Sequence, residues 1–207
     1  MGTDLVTQLT PVGKTRTRVC LNEEQTLVLS NREVVQYGIQ EGMELPEETR
    51  AALEKMLYQK AIRKCGELLE GMSYTEKGLT DKLIRSGYPG EIAGRAVDAM
   101  KKAHYVDDRA YAEAYLRSNH MRRSKRRIQQ DLENKGVARE LISEILSAWE
   151  EESGCSAQES EAQQIREFLR KKDFDPAAQD WASRQKMMAR LARRGYSFEV
   201  LEEILHP

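Results

Sequence analysis

The chain has 207 residues, enough for one large domain or several small ones with a buried core. Apolar residues make up 40% and charged residues 32%, with a formal net charge of −1, which is typical of a soluble, helix-prone protein and disfavours disorder. No apolar run approaches the roughly 20 residues that span a bilayer, and the first ten residues do not resemble a signal peptide. We therefore expect a cytoplasmic protein without membrane contact.

The N-terminal region is predicted to form strands. "TRTRVCL" (15–21) and "TLVLS" (26–30) are rich in β-branched and apolar residues, and "NEEQ" between them can make a turn. This pattern predicts a β-hairpin. "DLVTQLT" (4–10) can supply a third strand.

A short helix is predicted to follow the hairpin. Asn31 can cap a helix that runs through Tyr37, with Gly38 as its C-terminal stop. Pro46 then stands where the first turn of a helix tolerates proline. We interpret residues 1–45 as a β segment with one short helix, and we expect no strand between Pro46 and His206.

Three glycines anchor a repeat in the helical region. Gly87, Gly136 and Gly195 each follow an i, i+4 apolar pair, and apolar positions recur one, five, six, nine and ten residues later. The aligned sets are Leu79, Leu83, Tyr88, Ile92, Ala93, Ala96 and Val97; Ile128, Leu132, Val137, Leu141, Ile142, Ile145 and Leu146; and Met187, Leu191, Tyr196, Val200, Leu201, Ile204 and Leu205. This spacing predicts two amphipathic helices joined by a tight turn, whereas the glycines and short helices argue against a coiled coil.

A further apolar-periodic segment precedes each helix pair, which makes the repeating unit three helices. These segments run over about 53–69, 110–116 and 162–169. The predicted fold class is therefore mainly α, with three tandem three-helix repeats in an elongated array behind the small β segment. The predicted domain limits are 1–45, 46–104, 105–153 and 154–207, with an insertion in the last repeat at 170–180.

Polar residues supply candidate helix starts. Ser73 and Glu76 can form a capping box for the second helix of the first repeat. Asp107 or Asp108 can cap the first helix of the second repeat. Capping explains this acidic pair more economically than a metal ion does.

No sequence motif indicates catalysis. The chain has no phosphate-binding loop, HExxH or GxSxG motif, and its histidines and cysteines are scattered. We expect Cys20, Cys65 and Cys155 to be free thiols, and we expect no enzyme activity, no cofactor and no bound metal. Tyr105, Tyr111 and Tyr115 suit base stacking, but their helical spacing makes core packing the simpler interpretation.

Basic residues recur on equivalent helices. They are dense near the middle helix of the second and third repeats and sparse in the first, while acidic residues concentrate elsewhere. The candidate binding surface comprises Arg117, Arg122, Arg123, Lys125, Arg126, Arg127, Arg184, Lys186, Arg190, Arg193 and Arg194. Lys14, Arg16 and Arg18 of the hairpin are a further candidate contact. Such a pattern suits a solvated surface or a site for phosphate or an acidic protein.

Two stretches carry a family resemblance. "VDDRAYAEAYLRS" (106–118) and "SKRRIQQDLENKGVARELISEIL" (124–146) resemble the central signature of the RecX regulators of the recombinase RecA. The helical resemblance extends over about 53–206. It departs at Ser124, where members commonly have Gly, and at Glu70 and Gly71, a segment where members have Arg.

The resemblance implies a non-enzymatic protein that lies in the groove of a RecA–DNA filament. There it would restrain ATP hydrolysis, strand exchange and the coprotease role of the filament. The expected partners are the RecA nucleoprotein filament and, as further candidates, single- or double-stranded DNA; the expected state is a monomer. The alternatives are a free-standing nucleic-acid-binding helical module, a helical adaptor without a nucleic-acid role and, last, an enzyme of unknown activity.

Overall fold

The computed structural model describes residues 4–153 and 157–206. The chain divides into two compact units, Met1–Asp107 and Asp108–Pro207. The first unit combines a sheet with one three-helix repeat, and the second contains two further three-helix repeats. The four predicted segment limits stay a prediction, although each described helix lies within one of them.

A four-stranded antiparallel sheet opens the first unit. The strands are β1 (Asp4–Val12), β2 (Arg16–Leu21), β3 (Gln25–Ser30) and β4 (Glu44–Leu45), in the order β3-β2-β1-β4. The predicted hairpin and third strand are confirmed. The two-residue β4 was not predicted, because so short a strand has no periodicity of its own.

The short helix α1 (Asn31–Gln36) begins at Asn31 itself, whereas Asn31 as N-cap would make it begin one residue later. Ser30 is the N-cap, and its hydroxyl accepts a hydrogen bond from the Glu33 N–H while the Glu33 carboxylate accepts one from the Ser30 N–H. The prediction of Asn31 as the cap was therefore wrong, because the reciprocal capping box satisfies two backbone donors at once. Gly38 has a φ of 62°, as its predicted role as a stop requires.

The first three-helix repeat comprises α2 (Glu47–Gly71), α3 (Glu76–Arg85) and α4 (Gly90–Lys102). Pro46 is the N-cap of α2. Thr75, not Ser73, caps α3 by accepting a hydrogen bond from the Gly78 N–H at 3.0 Å. The Ser73 prediction was wrong because α3 begins at Glu76, so a cap at its usual spacing must be Thr75.

One continuous core holds the first unit together. Val19 and Leu29 of the sheet and Leu57, Leu83 and Ala93 of the helices all belong to it, each with 3% or less of its surface exposed. The sheet thus buries its apolar face against the repeat, as two packed layers require.

The described residues of the second unit, 108–153 and 157–206, form six α-helices. They are α5 (Asp108–Asn119), α6 (Lys125–Asn134), α7 (Arg139–Ser153), α8 (Ala157–Lys171), α9 (Trp181–Ala192) and α10 (Phe198–Leu205). Each set of three has its own small core, centred on Leu132 in one and on Leu191 in the other. A 3₁₀ turn at Pro176–Ala178 lies inside the predicted insertion.

The glycine anchors have the backbone that the repeat predicts. Gly87, Gly136 and Gly195 have φ values of 99°, 90° and 90°, a region that favours glycine. The aligned apolar positions are buried or half-buried, which confirms the repeat. Within the described residues 47–153 and 157–206 there is no strand, also as predicted.

The predictions for the tyrosines and for the cysteines have mixed outcomes. Tyr111 and Tyr115 pack against the core of the second repeat, but Tyr105 is 70% exposed because α4 ends before it. Burial raises the pKa of the Cys65 thiol, and Cys20 is also free. Cys155 lies outside the described residues. No helix in the described ranges is long and apolar enough to cross a membrane.

Candidate functional site

A cleft of about 550 Å³ lies between the two repeats of the second unit. Its basic lining residues are Arg122, Arg123, Arg127, Lys171, Arg193 and Arg194. Met121, Gln164, Glu167, Phe168 and Tyr196 complete the lining. Glu167 is the one carboxylate among the described lining residues, so the cleft is strongly cationic although the chain is almost neutral.

The start of α6 fixes the arginines of the second repeat. Ser124 is fully buried at the N-cap, where its hydroxyl accepts a hydrogen bond from the Arg127 N–H at 3.2 Å. The N–H groups of Arg122 and Arg123 donate to the Asn119 carbonyl at 2.8 and 3.0 Å. Hydrogen bonds therefore fix the conformation of the turn between α5 and α6.

The turn between α9 and α10 brings the arginines of the third repeat to the same place. The Ser124 hydroxyl donates to the Arg194 carbonyl at 3.4 Å. A β-carbon on Gly195 would lie 2.6 Å from the Ser124 oxygen, so only glycine permits this approach. Ser124 thus both caps α6 and contacts the neighbouring repeat.

One further hydrogen bond joins the repeats, and an ion pair within α8 lies beside it. The Gln164 side-chain amide on α8 donates to the His120 carbonyl at 2.7 Å. The Lys171 ammonium at the end of α8 pairs with Glu167 at 2.8 Å, on the same wall of the cleft. The cleft is therefore built from α8, the first turn of α6 and two tight turns.

A buried carboxylate lies behind the arginines of the second repeat. Asp131 accepts hydrogen bonds from the Arg123 guanidinium and from the Tyr115 hydroxyl at 3.1 Å, and it forms an ion pair with Arg127 Nε at 3.1 Å. Burial raises the pKa of Tyr115, and its hydrogen bond to Asp131 raises it further, so the phenol stays a donor at neutral pH.

Phe168 supports the arginines of the third repeat. The guanidinium carbon of Arg194 lies 4.4 Å from the centre of the ring, and that of Arg190 lies 5.6 Å from it. Such cation–π contacts orient a guanidinium without neutralising its charge.

The structure separates the predicted basic residues into two groups. Five of them line the cleft: Arg122, Arg123, Arg127, Arg193 and Arg194. The other six are Arg117, Lys125, Arg126, Arg184, Lys186 and Arg190, which are not among its lining residues. Arg117 pairs with Glu113 at 3.8 Å, and Lys125 pairs with Glu150 at 2.7 Å.

Exposure distinguishes the remaining predicted residues. Arg126 and Lys186 are exposed, whereas Arg184 is half-buried with its Nε atom enclosed. Lys14, Arg16 and Arg18 are exposed in the first unit. Their roles stay predictions.

Sequence reasoning missed Lys171 at this site. It stands in the basic run "RKK" (170–172), which the repeat alignment assigns only to an insertion. Its place in the last turn of α8 is the signal that could have identified it.

The cleft has the chemistry of an anion-binding site. Its guanidinium groups can donate charge-assisted hydrogen bonds to phosphate or carboxylate oxygens. The described residues include no cluster of His, Cys, Asp and Glu that could hold a metal ion.

Comparisons with known proteins identify both repeats of the second unit. Residues 107–146 match the family description "RecX, second three-helix domain", and residues 159–205 match "RecX, third three-helix domain". A regulatory protein RecX from Mycobacterium sp. strain JLS is 32% identical over 137 residues, which cover 64% of this chain and 73% of that protein. One from Mycolicibacterium smegmatis is 27% identical over 169 residues, covering 80% and 88%.

Solved structures share the fold. A crystal structure of a regulatory protein RecX covers 98% of both chains with a TM-score of 0.59 and 20% identity. RecX from Lactobacillus salivarius covers 73% of this chain and 96% of its own, with a TM-score of 0.55 and 16% identity. At these identities the likeness concerns the fold alone.

Proposed function

Because this chain belongs to the RecX family of regulatory proteins, we propose that it regulates RecA by binding the RecA–DNA filament. Bound there, it mainly inhibits the ATPase, strand-exchange and coprotease activities of the filament. It acts in the cytoplasm as a monomer, without a cofactor and without catalysis of its own.

One observation carries this proposal: basic side chains from two consecutive repeats converge on one cleft. Arg122, Arg123 and Arg127 come from the second repeat, and Arg193 and Arg194 from the third. A basic run that served only solubility would have no reason to converge in this way. Arginine suits the role because its planar fork binds phosphate and carboxylate in two-point geometry.

The charge distribution favours a partner made of protein and DNA together. The net charge of −1 gives the chain little long-range attraction to naked DNA. Six cations in one cleft nevertheless give strong local attraction to an anion. We therefore assign the contact mainly to RecA carboxylates, with DNA phosphates as a smaller contribution.

RecA ATPase on single-stranded DNA tests the proposal. Addition of the protein should lower the ATPase rate in a saturable manner. A variant with Arg122→Glu and Arg193→Glu should inhibit only at much higher concentrations. An unchanged ATPase rate at saturating wild-type protein would overturn the proposal.

A nucleic-acid-binding module that acts without RecA is the second candidate. The same cleft favours it, since its arginines also suit backbone phosphates. Binding to bare single-stranded DNA separates the two. Equal affinity for bare DNA and for filaments, combined with an unchanged ATPase rate, would favour this candidate.

A further inference from the structure

Asp131 is a carboxylate that three donors reach from different elements. Arg123 comes from the turn before α6, Arg127 from the first turn of α6, and Tyr115 from α5. Both carboxylate oxygens are engaged, since Arg127 reaches Oδ1 while Arg123 and Tyr115 reach Oδ2. The Asp131 side chain is only 11% exposed, so the carboxylate lies beneath the surface.

The two arginines that Asp131 holds keep donor groups for a ligand. Arg127 forms an ion pair with Asp131 through Nε, and Arg123 uses Nη1 for both Asp131 and the Tyr115 hydroxyl. Their side chains are 41% and 45% exposed, and both line the cleft. Each guanidinium has five N–H donors, so one engaged nitrogen leaves several for an anion.

We infer that Asp131 is a positioning residue that holds Arg123 and Arg127 at the wall of the cleft as a preorganised pair of oxyanion donors. A free arginine side chain must lose rotamer freedom when it binds. Because the buried carboxylate already restricts both arginines in the free protein, they lose less rotamer freedom when an anion binds. The identity of the biological ligand rests on the proposed function, but the positioning role does not.

Glu167 provides the contrast that isolates positioning from charge. It has the same charge as Asp131, but it lines the cleft and is 32% exposed, whereas Asp131 is not a lining residue. Glu167 therefore competes with a bound anion for Lys171. Neutralising either residue adds one unit of positive charge to the region, yet positioning predicts opposite effects on binding.

The central test compares Asp131→Asn with Glu167→Gln in binding to preassembled RecA–DNA filaments at fixed ionic strength. Asp131→Asn should weaken binding by about tenfold, because two arginines lose their anchor. Glu167→Gln should tighten binding by about two- to threefold, because a like charge is removed from the path of the anion. Tighter or unchanged binding of a folded Asp131→Asn variant would overturn the inference.

A double-mutant cycle separates positioning from a general structural effect. If Asp131 acts through the arginines, Asp131→Asn should cause no further loss in a variant that already has Arg123→Gln and Arg127→Gln. An equal loss of affinity in both backgrounds would assign Asp131 a structural role only. Should Asp131→Asn fail to fold, Tyr115→Phe replaces it, with an expected two- to threefold loss at unchanged charge. Unchanged affinity in that folded variant would overturn the inference.

Inorganic phosphate tests the positioning role independently of RecA. Titration should shift the side-chain N–H resonances of Arg123 and Arg127 in the wild type, and the shifts should need more phosphate in Asp131→Asn. If the wild type binds no filaments but shows this behaviour, the proposed function fails and the positioning role stands. If phosphate shifts neither arginine, the positioning role fails.

Discussion

The first and third repeats use the same glycine turn against different neighbours. In the first unit the turn at Gly87 packs against β3, where the Gly87 carbonyl accepts a hydrogen bond from the Val28 N–H at 3.0 Å. In the second unit the turn at Gly195 packs against the capped start of α6, at Ser124. The Gly87 turn thus packs into the core that the sheet and the helices share, whereas the Gly195 turn forms part of the basic cleft.

The repeats therefore share their apolar core positions but not their basic residues. The apolar positions are shared, and they hold each three-helix set together. The basic residues are not shared. In the first repeat the equivalent helix, α3, has only Lys77, Lys82 and Arg85. We therefore expect the function to depend on what each turn contacts rather than on the repeat itself.

The largest expected effect comes from valine at the glycine turns. In Gly87→Val the new β-carbon would lie 2.5 Å from that of Val28, and a β-branched residue is strained at a φ of 99°. We expect Gly87→Val and Gly195→Val each to lower the free energy of unfolding of their own unit by about 3 kcal/mol. Gly136→Val should likewise destabilise the second repeat.

Spectroscopy can assign each loss to its unit. Both tryptophans, Trp149 and Trp181, belong to the second unit, so their fluorescence follows that unit during urea unfolding. Gly195→Val should shift the fluorescence transition, whereas Gly87→Val should shift only the far-UV circular dichroism. Gly66→Ala is the control, since it lies inside α2 with open space around it and should stabilise by about 1 kcal/mol. Unchanged transitions in the valine variants would contradict the assigned turns.

A smaller effect should distinguish two neighbouring arginines of α6. Arg127 lines the cleft and Arg126 does not, although both are exposed. Arg127→Gln should lower the affinity for RecA–DNA filaments by about tenfold, or about 1.4 kcal/mol, and Arg126→Gln by less than about threefold. Fluorescence anisotropy of labelled protein measures both. Equal losses would mean that the whole helix face, not the cleft, binds the partner.

Loss of the helix caps should cost about 1 kcal/mol of stability in either unit. Thr75→Ala removes the cap of α3, and Ser124→Ala removes the cap of α6. Thermal unfolding should show similar losses. Filament affinity should fall in Ser124→Ala alone, because its hydroxyl also contacts the Arg194 carbonyl. Retained affinity in Ser124→Ala would show that this contact does not shape the cleft.

The smallest expected effect is a pH dependence of the first unit. Burial raises the pKa of Glu33, but its ion pair with Lys60 and its bonds to Ser30 outweigh this and lower it. A lowered folded-state pKa stabilises the protein above the unfolded-state pKa, and that stability is lost as pH falls through the lowered folded-state pKa.

Glu33→Gln measures this contribution. It should lower stability at neutral pH by less than about 1 kcal/mol and leave less to lose at acid pH. Urea unfolding followed by circular dichroism at neutral and acid pH checks this. An identical pH profile in wild type and variant would assign no such role to Glu33.

Local patterns predicted the helices and the glycine turns, because apolar spacing and a required positive φ are both properties of neighbouring residues. Exact caps were less predictable. Ser30 and Asn31 are equally good caps, and the choice depends on where Glu33 reaches. Ser73 and Thr75 pose the same problem, since only the start of α3 decides between them.

The cleft could be predicted only in part. The basic runs at 122–127 and 193–194 are visible in the chain, but Ser124 and Gly195 meet only after folding. Asp131 lies four residues after Arg127, a spacing that permits an ion pair on a helix, but its burial is a tertiary property. The basic run at 170–172 is also visible in the chain, but Lys171 joins the cleft only because α8 ends there.

Filament binding by a cleft variant tests the central claim most directly. The measurement compares affinities for preassembled RecA–DNA filaments, after circular dichroism has verified folding. The three proteins are the wild type, the cleft variant Arg122→Glu/Arg193→Glu and the matched variant Arg126→Glu/Lys186→Glu. Both variants carry the same charge change, but only the first alters the cleft. We predict a loss on the order of 100-fold for the cleft variant and less than about fivefold for the matched one. Equal losses in the two variants, or wild-type affinity in the cleft variant, would contradict the account.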